Sequence, residues 1–576
     1  MTGLSEDMEK QARLLSSQLV LGDRLVEVAA TRTVLAWKGI KKDKKSSEII
    51  SFSKTEHVPL CDIIAAHKNH INAESGRSQK NPKRLHQMHP HAFTVSYVRR
   101  TRRRRRWRCG DVTFHCTNQG LCEQWIQVIN EQLSLFTNRP RSLLVYINPY
   151  GGKRRGERVY EQKVAPLLRR ACISADVIVT ERANHARDHL ISQANLNEYD
   201  GVVCVGGDGM FSEILHGLII RTQTDHRVDR DRPDSELVPC SLRVGIIPAV
   251  SQSPDARSRS IGSTDCICFS TVGASDAVTS ALHIIVGDSQ PMDVCSVHHR
   301  DRFLRYSVSL LGYGFYGDVL TDSERNRRLG PARYDLAGVK TFLSHKHYEG
   351  TISFLPAENK GTPRDKLRCR SGCGACQHKS SLKDRKQREM SEKTNLDKDG
   401  GHGWRVIHGK FIAINAASMS CACPRSPKGL APSAHLADGT ADLILVRRCS
   451  HLDFFRHLLR HTTKDDQFDH SFVEVHRVRK FCFQPRVCGP ASADHRSGDP
   501  VTSCFGATRP CPATGNQGNG HGRWTCDGEI LPHAAIRVSV HGQLIRLFAR
   551  GIEEEQRQQG GRAPEGPCSP RDLEPS

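Results

Sequence analysis

The chain has 576 residues, enough for about three or four domains of roughly 100–200 residues each. Its 84 lysines and arginines against 62 aspartates and glutamates give a formal charge of +22, which indicates an anionic partner such as phosphate, a lipid headgroup or nucleic acid. No apolar run approaches the roughly 18 residues of a membrane span, so we expect only peripheral membrane contact. The 22 cysteines suggest free thiols in a reducing cytosol.

Residues 12–137 predict a small β-rich module closed by a helix. HAFTVSYV (91–98) and DVTFHCT (111–117) alternate apolar and polar residues, as half-buried strands do. In LCEQWIQVINEQLSLF (121–136) the apolar residues recur at helical spacing, so a stripe that includes Trp125 can pack on the sheet. This layout of strands and C-terminal helix resembles a pleckstrin homology domain, which implies a membrane-targeting role.

A basic segment, RRTRRRRRWR (99–108), lies between those two strands. Guanidinium groups grip phosphate bidentately and basic clusters are attracted to anionic bilayers, which favours a phosphoinositide surface. A solvated loop and a nuclear localisation signal are the alternatives. Because no run of aromatic residues is present to stack bases, we expect no nucleic-acid partner. The predicted phosphoinositide contacts are Arg99, Arg100, Arg102, Arg103, Arg104, Arg105 and Arg106.

The remainder of the chain divides into two halves and a tail. Strands alternate with helical stretches over 138–289, which predicts a parallel sheet with helices on its faces and ligands at the carboxyl ends of its strands. Residues 290–552 predict a mainly β lipid-binding half, and 553–576 are too polar to fold. The predicted fold class is therefore α/β plus β: a pleckstrin-like barrel, an α/β nucleotide-binding domain and a mainly β domain, with the active site in the cleft between the last two.

Two glycine loops end strands of the α/β half, VYINPYGGK (145–153) and VVCVGGDG (202–209). Glycine lets backbone amides approach a phosphate closely, and a helix starting just afterwards adds its positive dipole end. No Walker sequence occurs. Asp208, between two glycines, either accepts a proton from an attacking hydroxyl or positions Mg²⁺, with a helix N-cap as the structural alternative. Glu213 either supports that site or is an ordinary exposed helix residue.

Several motifs resemble one enzyme superfamily when taken in chain order. NPYGGK, TERANHA, VGGDGMFSE and a split IIPA…GSTD resemble the catalytic domain of the diacylglycerol kinase and sphingosine kinase superfamily, from about residue 140 to 550. With the pleckstrin-like front, the sequence is most similar to the ceramide kinases at LLGYGFYGDV (310–319), CRSGCGAC (369–376), ASMSCAC (417–423) and HLADGTADLIL (435–445).

The resemblance implies transfer of the γ-phosphoryl group of ATP to the primary hydroxyl of ceramide, giving ceramide 1-phosphate and ADP. Three alternatives stay open: a diacylglycerol kinase, a sphingosine kinase, or a catalytically silent phosphoinositide-binding scaffold. ATP and Mg²⁺ are implied as cofactors, and Ca²⁺ as an activator. The implied location is cytoplasmic, peripherally on the Golgi and plasma membrane.

The resemblance also assigns residues. Asp208 is implied as the base for the lipid hydroxyl, Asp318 as a headgroup contact, and Asp527 with a supporting Glu213 as Mg²⁺ ligands. Leu320 stands where sphingosine kinases carry an acidic residue, and its lack of charge suits the uncharged amide of ceramide. The implied nucleotide contacts are Asn148, Pro149, Gly151, Gly152, Lys153, Thr180, Gly206, Gly207, Gly209, Ser263, Arg327, Arg333 and Glu529.

The IIPAGSTD turn of this superfamily is interrupted here by VSQSPDARSRSI (250–261). Loop-closure entropy rises slowly with length, so we expect the fold to accommodate the insert. The GSTD half must still reach the nucleotide, and a displacement of about 1 Å can cost roughly 100-fold in rate. The insert therefore leaves activity of this chain open.

Two further segments have ordinary structural explanations. Cys369, Cys373 and Cys376 show C-x₃-C-x₂-C spacing, but zinc needs a fourth ligand, so we expect a structural or redox-sensitive loop rather than a metal site. LILVRRCSHLDFFRHLLRH (443–461) mixes basic and bulky apolar residues like a calmodulin target, which would add calmodulin as a partner. A strand followed by a buried helix explains the same pattern.

Overall fold

The N-terminal part of the chain folds as an antiparallel sheet closed by one helix. The computed structural model describes residues 13–42, 49–51, 54–69, 90–101, 105–150, 155–249, 263–330, 332–357, 367–377, 403–424, 426–463, 466–486 and 522–553. The strands of the first sheet are β1 (Leu15–Leu21), β2 (Arg24–Ala30), β3 (Val34–Lys42), β4 (Ile49–Ser51), β5 (Glu56–Pro59), β6 (Ile63–Lys68), β7 (His91–Thr101) and β8 (Arg106–Cys116). They lie in the order β4-β3-β2-β1-β8-β7-β6, and β5 pairs with β3.

Helix α1 (Gln119–Ser134) closes this sheet, as the periodicity predicts. Asn118 caps its first turn, accepting a hydrogen bond from the amide of Leu121 at 2.7 Å. Trp125 is fully buried and stacks on Phe93 with ring centroids 6.0 Å apart. The antiparallel sheet with its C-terminal helix confirms the pleckstrin-like fold predicted for this region.

The rest of the chain builds a second, 14-stranded sheet. Its strands are β9 (Ser142–Ile147), β10 (Ser174–Val179), β11 (Gly201–Gly206), β12 (Arg243–Pro248), β13 (Ser289–His299), β14 (Arg302–Ser307), β15 (Leu310–Gly314), β16 (Tyr348–Pro356), β17 (Arg405–Ala417), β18 (Ala441–Arg447), β19 (Val473–Pro485), β20 (Trp524–Cys526), β21 (Glu529–Ile530) and β22 (Ile536–Phe548). Its helices are α2 (Gly156–Val159, continued by Tyr160–Val164 and Ala165–Arg170), α3 (His185–Ser192), α4 (Asp208–Asp225), α5 (Ser263–Val272), α6 (Ala277–Val286), α7 (Phe315–Arg325), α8 (Ala332–Ser344), α9 (Gly374–Gln377) and α10 (His451–Arg460).

The first four strands of this sheet are parallel and lie in the order β10-β9-β11-β12. Strand β11 is buried along its whole length. Val202 and Cys204 face one apolar cluster, and Val203 and Val205 face another on the opposite side. Because both faces of β11 are covered, its successive residues are all apolar, which explains the VVCV sequence. The predicted parallel sheet is confirmed.

The last strand of the chain returns to the α/β part of the sheet. Arg243 and Val244 of β12 pair in parallel with Arg546 and Leu547 of β22, while β13 and β19 pair with β22 antiparallel. The sequence predicts a division between residues 289 and 290. Strands from both sides of this division belong to one hydrogen-bonded sheet. Among the described residues no single helix is long and apolar enough to cross a membrane, and one bent pair, α5 with α6, meets the length and composition criteria.

The β7–β8 hairpin carries the arginine-rich segment onto the second sheet's domain. Trp107 is buried against His283 of α6, with ring centroids 3.7 Å apart. The guanidinium of Arg100 binds Asp62 at 2.6 Å and Glu553 at 2.7 Å. Both carboxylates belong to this chain, so Arg100 holds the two domains together, and we remove it from the predicted phosphoinositide contacts.

Other residues of this predicted membrane surface divide into two groups. Arg99, Arg105 and Arg106 are described, with Arg99 and Arg105 exposed and Arg106 half-buried, whereas 102–104 lie outside the described residues. Glu553, where the sequence predicts the polar tail to begin, is tied to Arg100; the remainder of that tail, 554–576, is likewise outside the described residues. All cysteines in the described ranges are free thiols.

Candidate functional site

The carboxyl ends of four parallel strands meet at one edge of the sheet. The amide of Asn148, just after β9, donates to Val205 O at 3.1 Å, and the amide of Thr180 after β10 donates to Ile147 O at 2.9 Å. The amide of Ala249, just after β12, donates to Gly206 O at 3.3 Å. Strand ends that the sequence separates by up to about a hundred residues therefore converge, as expected for a parallel sheet.

The glycines at this edge meet different steric demands. A Cβ on Gly156, at the start of α2, would lie 2.6 Å from Asn148 O, so only glycine allows the helix to begin there. A Cβ on Gly206 would approach Met210 Cβ at 3.0 Å. At Gly207 and Gly209 no atom of the described residues lies within 4 Å of such a Cβ. Open space beside a helix N-terminus that lacks a side-chain cap suits an anionic group such as a phosphate.

Asp208 is the first residue of α4 and is half-buried. The N-cap position belongs to Gly207, so the N-cap interpretation of Asp208 is wrong. The pKa of the Cys268 thiol on α5 is raised by burial and, further, by the carboxylates of Asp265 and Asp208. Asp208 thus lies close enough to α5 to act electrostatically on it. Helix α5 starts at Ser263, two residues after the last residue of the 250–261 insert.

Glu213, one turn further along α4, contacts the neighbouring βα turn. Its Oε2 accepts a hydrogen bond from the amide of Ala186 at 3.2 Å, in the first turn of α3. That helix starts after Asn184, which adopts a left-handed conformation and makes no side-chain cap. Glu213 therefore supplies an acceptor that the cap residue does not, and this contact supports the TERANHA turn. Its Mg²⁺ role stays a prediction.

Asp527 anchors the turn between β14 and β15. Its carboxylate accepts five hydrogen bonds, from Ser307 Oγ, Val308 N, Ser309 N, Ser309 Oγ and Leu310 N, at 2.6 to 3.1 Å. Asp527 itself has φ +48°, a strained conformation held by these contacts. The carboxylate positions residues 307–310, and its role as a Mg²⁺ ligand stays a prediction.

Arg305, which the sequence analysis did not single out, links the two halves of the cleft. Its guanidinium binds Glu529 Oε2 on β21 at 2.5 Å and donates to Ser212 Oγ on α4 at 2.7 Å. Glu529, a predicted nucleotide contact, is therefore tied to the helix that begins at Asp208. The sequence carries no local signal for Arg305, because it lies on an ordinary strand far from both partners in the chain.

His216 is a second positioning residue absent from the predictions. Its Nδ1–H donates to Ser212 O at 2.7 Å, and its Nε2 accepts from the amide of Tyr306 at 3.0 Å. Burial, with a contribution from the charge of Arg305, lowers the pKa of His216 to about 4. The neutral imidazole consequently joins α4 to β14 over the physiological pH range.

Asp318 lies on α7 beside a shallow pocket. Tyr348 Oη donates to Asp318 Oδ2 at 2.5 Å, and burial raises the pKa of the Asp318 carboxyl. Leu320 lies two residues further along α7, and helix residues at i and i+2 do not face each other. The pocket is a narrow surface depression lined by Phe315, Asp318, Thr341, His345, Lys346, Ile412 and Phe454.

Two helices next to this pocket expose apolar side chains. Phe342 of α8 stacks on Phe454 of α10 with ring centroids 6.2 Å apart, so the helices pack together. The outer surface of the pair, termed the apolar face below, carries side chains that are 46 to 67% exposed. These are Leu336, Val339, Leu343, Leu452, Phe455 and Leu459. The segment considered as a calmodulin target is thus a strand and a helix, β18 and α10, with only part of the helix buried.

The remaining predicted residues are unevenly described. Arg327 and Arg333 both pair with Glu324, which brings the two predicted nucleotide arginines together. Thr180 is buried and its Oγ1 donates to Ile147 O at 3.3 Å. Pro149 follows Asn148 at the end of β9. Gly151, Gly152, Lys153, the side chain of Ser263 and the insert 250–261 lie outside the described residues.

Three family profiles match successive parts of the chain. The profile of the ceramide kinase PH domain matches residues 15–129, that of the diacylglycerol kinase catalytic domain matches 142–297, and that of the ceramide kinase C-terminal domain matches 309–560. A diacylglycerol kinase structure from Bacillus anthracis str. Sterne aligns with TM-score 0.39 and 10% identity over 71% of this chain and 97% of that one, a likeness too weak to argue from.

Curated relatives are far more similar. Ceramide kinase from Homo sapiens is 52% identical over 504 residues, covering 86% of this chain and 89% of its own length. Ceramide kinase from Mus musculus is 51% identical, with 86% and 90% covered, and ceramide kinase 1 from Caenorhabditis elegans is 32% identical, with 78% and 73% covered. The resemblance inferred from the motifs is confirmed: the chain belongs to the ceramide kinase family.

Proposed function

We propose that this chain is an ATP-dependent lipid kinase that phosphorylates the primary hydroxyl of ceramide. The observation that carries the proposal is the strand edge where Asp208 begins α4 beside the open glycine turn, in a chain 52% identical to a ceramide kinase. The glycine turn and the helix N-terminus suit the phosphates of ATP. Asp208 is the nearest carboxylate to them in sequence and is half-buried.

In the proposed reaction Asp208 receives the proton of the ceramide hydroxyl as that oxygen attacks the γ-phosphorus. The new O–P bond forms while the bond from the γ-phosphorus to the β–γ bridging oxygen breaks, and ADP leaves with that electron pair. Arg305 holds Glu529 against α4, which fixes the cleft around these atoms. Mg²⁺, for which Asp527, Glu529 and Glu213 are the candidate ligands, would offset phosphate charge when bound.

The lipid side of the cleft supports ceramide as the acceptor. Asp318, which accepts a hydrogen bond from Tyr348, lines the pocket together with His345 and Lys346, and the apolar face lies on the two helices that border it. A water-insoluble lipid must leave its bilayer to reach Asp208, and exposed apolar side chains at the pocket's edge can enter the headgroup region. Lys340 and Arg456 are exposed on the same two helices, and each is paired with an aspartate of this chain, Asp322 and Asp453, so the apolar side chains carry the membrane argument.

Further partners and conditions belong to the same proposal. Arg99 and Arg105 on the hairpin of the PH domain are the described candidates for phosphoinositide contact. Ca²⁺ stimulation, calmodulin binding through 443–461, and a peripheral location on Golgi and plasma membrane follow from the family resemblance. None of these is needed for the phosphoryl transfer itself.

A lipid panel tests the proposed function. Phosphate transfer from labelled ATP to ceramide, sphingosine and diacylglycerol in mixed micelles is compared for this chain and its Asp208→Asn variant. We expect ceramide-selective turnover that falls by at least about 100-fold in the variant, because general base catalysis contributes roughly that much. Preference for diacylglycerol or sphingosine would contradict ceramide as the substrate.

Deleting residues 250–261 gives the second arm of the test. Equal turnover with and without the insert would establish that the nucleotide loop tolerates it. Turnover seen only after the deletion would confirm the assigned catalytic residues. It would also show that the insert makes the present chain a catalytically inactive, membrane-binding member of the family. A chain that stays inactive in both forms while binding phosphoinositide vesicles would favour the scaffold alternative.

A further inference from the structure

Four metal-ligating side chains cluster in the C-terminal half, and none of them belongs to the site described above. Cys369, Cys373, Cys376 and His435 each offer one ligand atom, and these atoms all lie within 4.8 Å of one another. The sulfurs of Cys369 and Cys376 are 3.5 Å apart, and Cys373 Sγ is 3.2 Å from His435 Nδ1. We propose that this cluster binds one structural Zn²⁺ through three thiolates and an imidazole nitrogen.

The separations fit a tetrahedral zinc site. Bonds of about 2.3 Å to sulfur and about 2.0 to 2.1 Å to nitrogen place neighbouring ligand atoms about 3.6 to 3.8 Å apart. The two separations given above, 3.5 and 3.2 Å, lie just below that range, so small shifts of these side chains would complete the tetrahedron. A disulfide would need about 2.05 Å between sulfurs, and all three cysteines are free thiols here.

The four protein side chains would fill the coordination sphere of the metal, and three of them are soft thiolate ligands. Four protein ligands fill a tetrahedron and leave no position for a substrate, which is the pattern of a structural rather than a catalytic zinc. Three thiolates select zinc over Mg²⁺ or Ca²⁺, which prefer oxygen ligands. Cys376 and His435 are only 4 and 5% exposed, so water does not compete for the inner half of the site.

The fourth ligand comes from a distant part of the chain. The three cysteines lie in the loop 367–377, whose only regular structure is the short helix α9. His435 lies between β17 and β18. The cysteine spacing alone predicts no metal site, because three cysteines lack a fourth ligand, and the tertiary structure supplies that ligand. That expectation is therefore replaced by the zinc proposal.

Contacts around the cluster indicate what the metal would hold. The amide of Ser371 donates to Ile552 O at 3.0 Å, which ties the cysteine loop to the segment after β22. Gln543 Nε2 on β22 donates to Cys376 O at 3.1 Å and Ala437 O at 3.3 Å, so it spans the cysteine loop and the His435 segment. Zinc would clamp these same two segments together against β22.

The clamp connects onward to the turn held by Asp527. Cys369 and Cys373 pack against the apolar cluster that also contains Met419 and Leu436. Two residues beyond Met419, Cys421 Sγ donates to Ser309 O at 3.4 Å. Because Ser309 is one of the residues bound by Asp527, loss of zinc should loosen the C-terminal side of the cleft. The metal's binding free energy would contribute directly to folding.

The zinc inference does not rest on the proposed lipid kinase function, and its first readout is metal content. The full chain, expressed with zinc and purified without a polyhistidine tag, is measured by inductively coupled plasma mass spectrometry. We expect one zinc per chain. His435→Ala should lose it, His435→Cys should retain it as a four-thiolate site, and Cys172→Ser, which removes an exposed cysteine elsewhere, should be unchanged.

Two outcomes would overturn the proposal: wild-type chain free of zinc, or full zinc in both His435→Ala and Cys373→Ser. Replacement of zinc by Co²⁺ in the wild-type chain keeps the test open even where a variant does not fold. A tetrahedral, sulfur-rich site gives intense ligand-field absorption together with sulfur-to-cobalt charge transfer. Absence of both signals in a chain that has taken up cobalt would assign the metal to other ligands and contradict the site.

Discussion

At the residue scale, the cleft depends on charged side chains that hold neighbouring elements in place. Arg305 forms an ion pair with Glu529 and donates a hydrogen bond to Ser212. The carboxylate of Asp527 accepts hydrogen bonds from the 307–310 turn. Both are positioning residues: each controls where a neighbouring element lies. Such residues are recognised only when their partners are known, because their own sequence surroundings are unremarkable.

Removing the Arg305 contact should impair catalysis without unfolding the chain. Because Arg305→Ala releases Glu529 from α4, we expect kcat/KM for ATP to fall by about 10- to 100-fold. The double variant with Glu529→Gln should show a coupling energy of about 1–3 kcal/mol, as expected for residues in direct contact. Arg302→Ala, an exposed arginine on the same strand, is the matched control, and an equal effect of both arginine variants would contradict the assignment.

His216 should make stability depend on pH. Its pKa is lowered to about 4 in the folded chain, against an ordinary value of 6.5, so the unfolded chain binds more protons between these values. The stabilisation is fully present above about pH 6.5 and is lost as pH falls toward 4, by up to about 3 kcal/mol. Denaturant unfolding at pH 7.5 and 5.0 measures it. His216→Gln should reduce the difference, and an unchanged difference would refute this cause.

At the scale of elements, helices α8 and α10 each have one side that packs in the interior and one side that faces solvent. α8 and α10 bury Phe342 and Phe454 against each other and leave the apolar face in contact with solvent. A patch of this kind beside a pocket commonly marks an interaction surface. Because ceramide is insoluble in water and resides in membranes, a lipid bilayer is the partner that suits the apolar face.

Polar substitution on the apolar face should weaken membrane contact selectively. The double variant Val339→Ser with Leu343→Ser removes two side chains that are 59 and 67% exposed, so it costs little folding energy. We expect vesicle sedimentation to drop several-fold and KM for bilayer ceramide to rise, while turnover of a short-chain, dispersed ceramide stays near wild type. Leu135→Ser, at a 49% exposed site on the N-terminal domain, is the control. Equal loss with the dispersed substrate would point to a folding defect instead.

At the scale of the whole molecule, a buried ionic cluster joins the N-terminal domain to the catalytic domain. Arg550, only 7% exposed, binds Asp62 at 2.7 Å and Asp288 at 2.5 Å. Burial raises the pKa of Asp62, but the ion pairs with Arg100 and Arg550 outweigh it and lower that pKa overall. The arginine-rich hairpin is therefore partly a docking device between domains.

Replacing Arg550 should uncouple the two domains. Arg550→Met removes the cation that buried Asp62 and half-buried Asp288 share and leaves Asp62 paired with Arg100 alone, which costs up to about 3–5 kcal/mol, the range for breaking a buried pair. We expect a lower unfolding midpoint and faster limited proteolysis near residue 138, between the domains. Arg546→Met, on the same strand end, serves as the control. A single cooperative transition at the wild-type midpoint would show that the cluster does not couple the domains.

The sequence by itself determined the features that depend on neighbouring residues. Glycine turns, strand alternation and the stripe around Trp125 are local patterns, so the PH-like module, the parallel sheet and the VGGDG strand end could all be predicted. The motif order was specific enough to indicate the family. These signals survive because backbone preferences and side-chain periodicity act over only a few residues.

The tertiary structure alone decided the long-range pairings. The return of β22 to β12, the bridge from Arg305 to Glu529, the docking of Arg100 on Asp62 and the approach of His435 to three cysteines each join residues far apart in the chain. Strand order and register set these contacts, and no local pattern encodes them. For the same reason the sequence does not reveal that the basic hairpin docks on the catalytic domain, or that the cysteine loop has a fourth ligand.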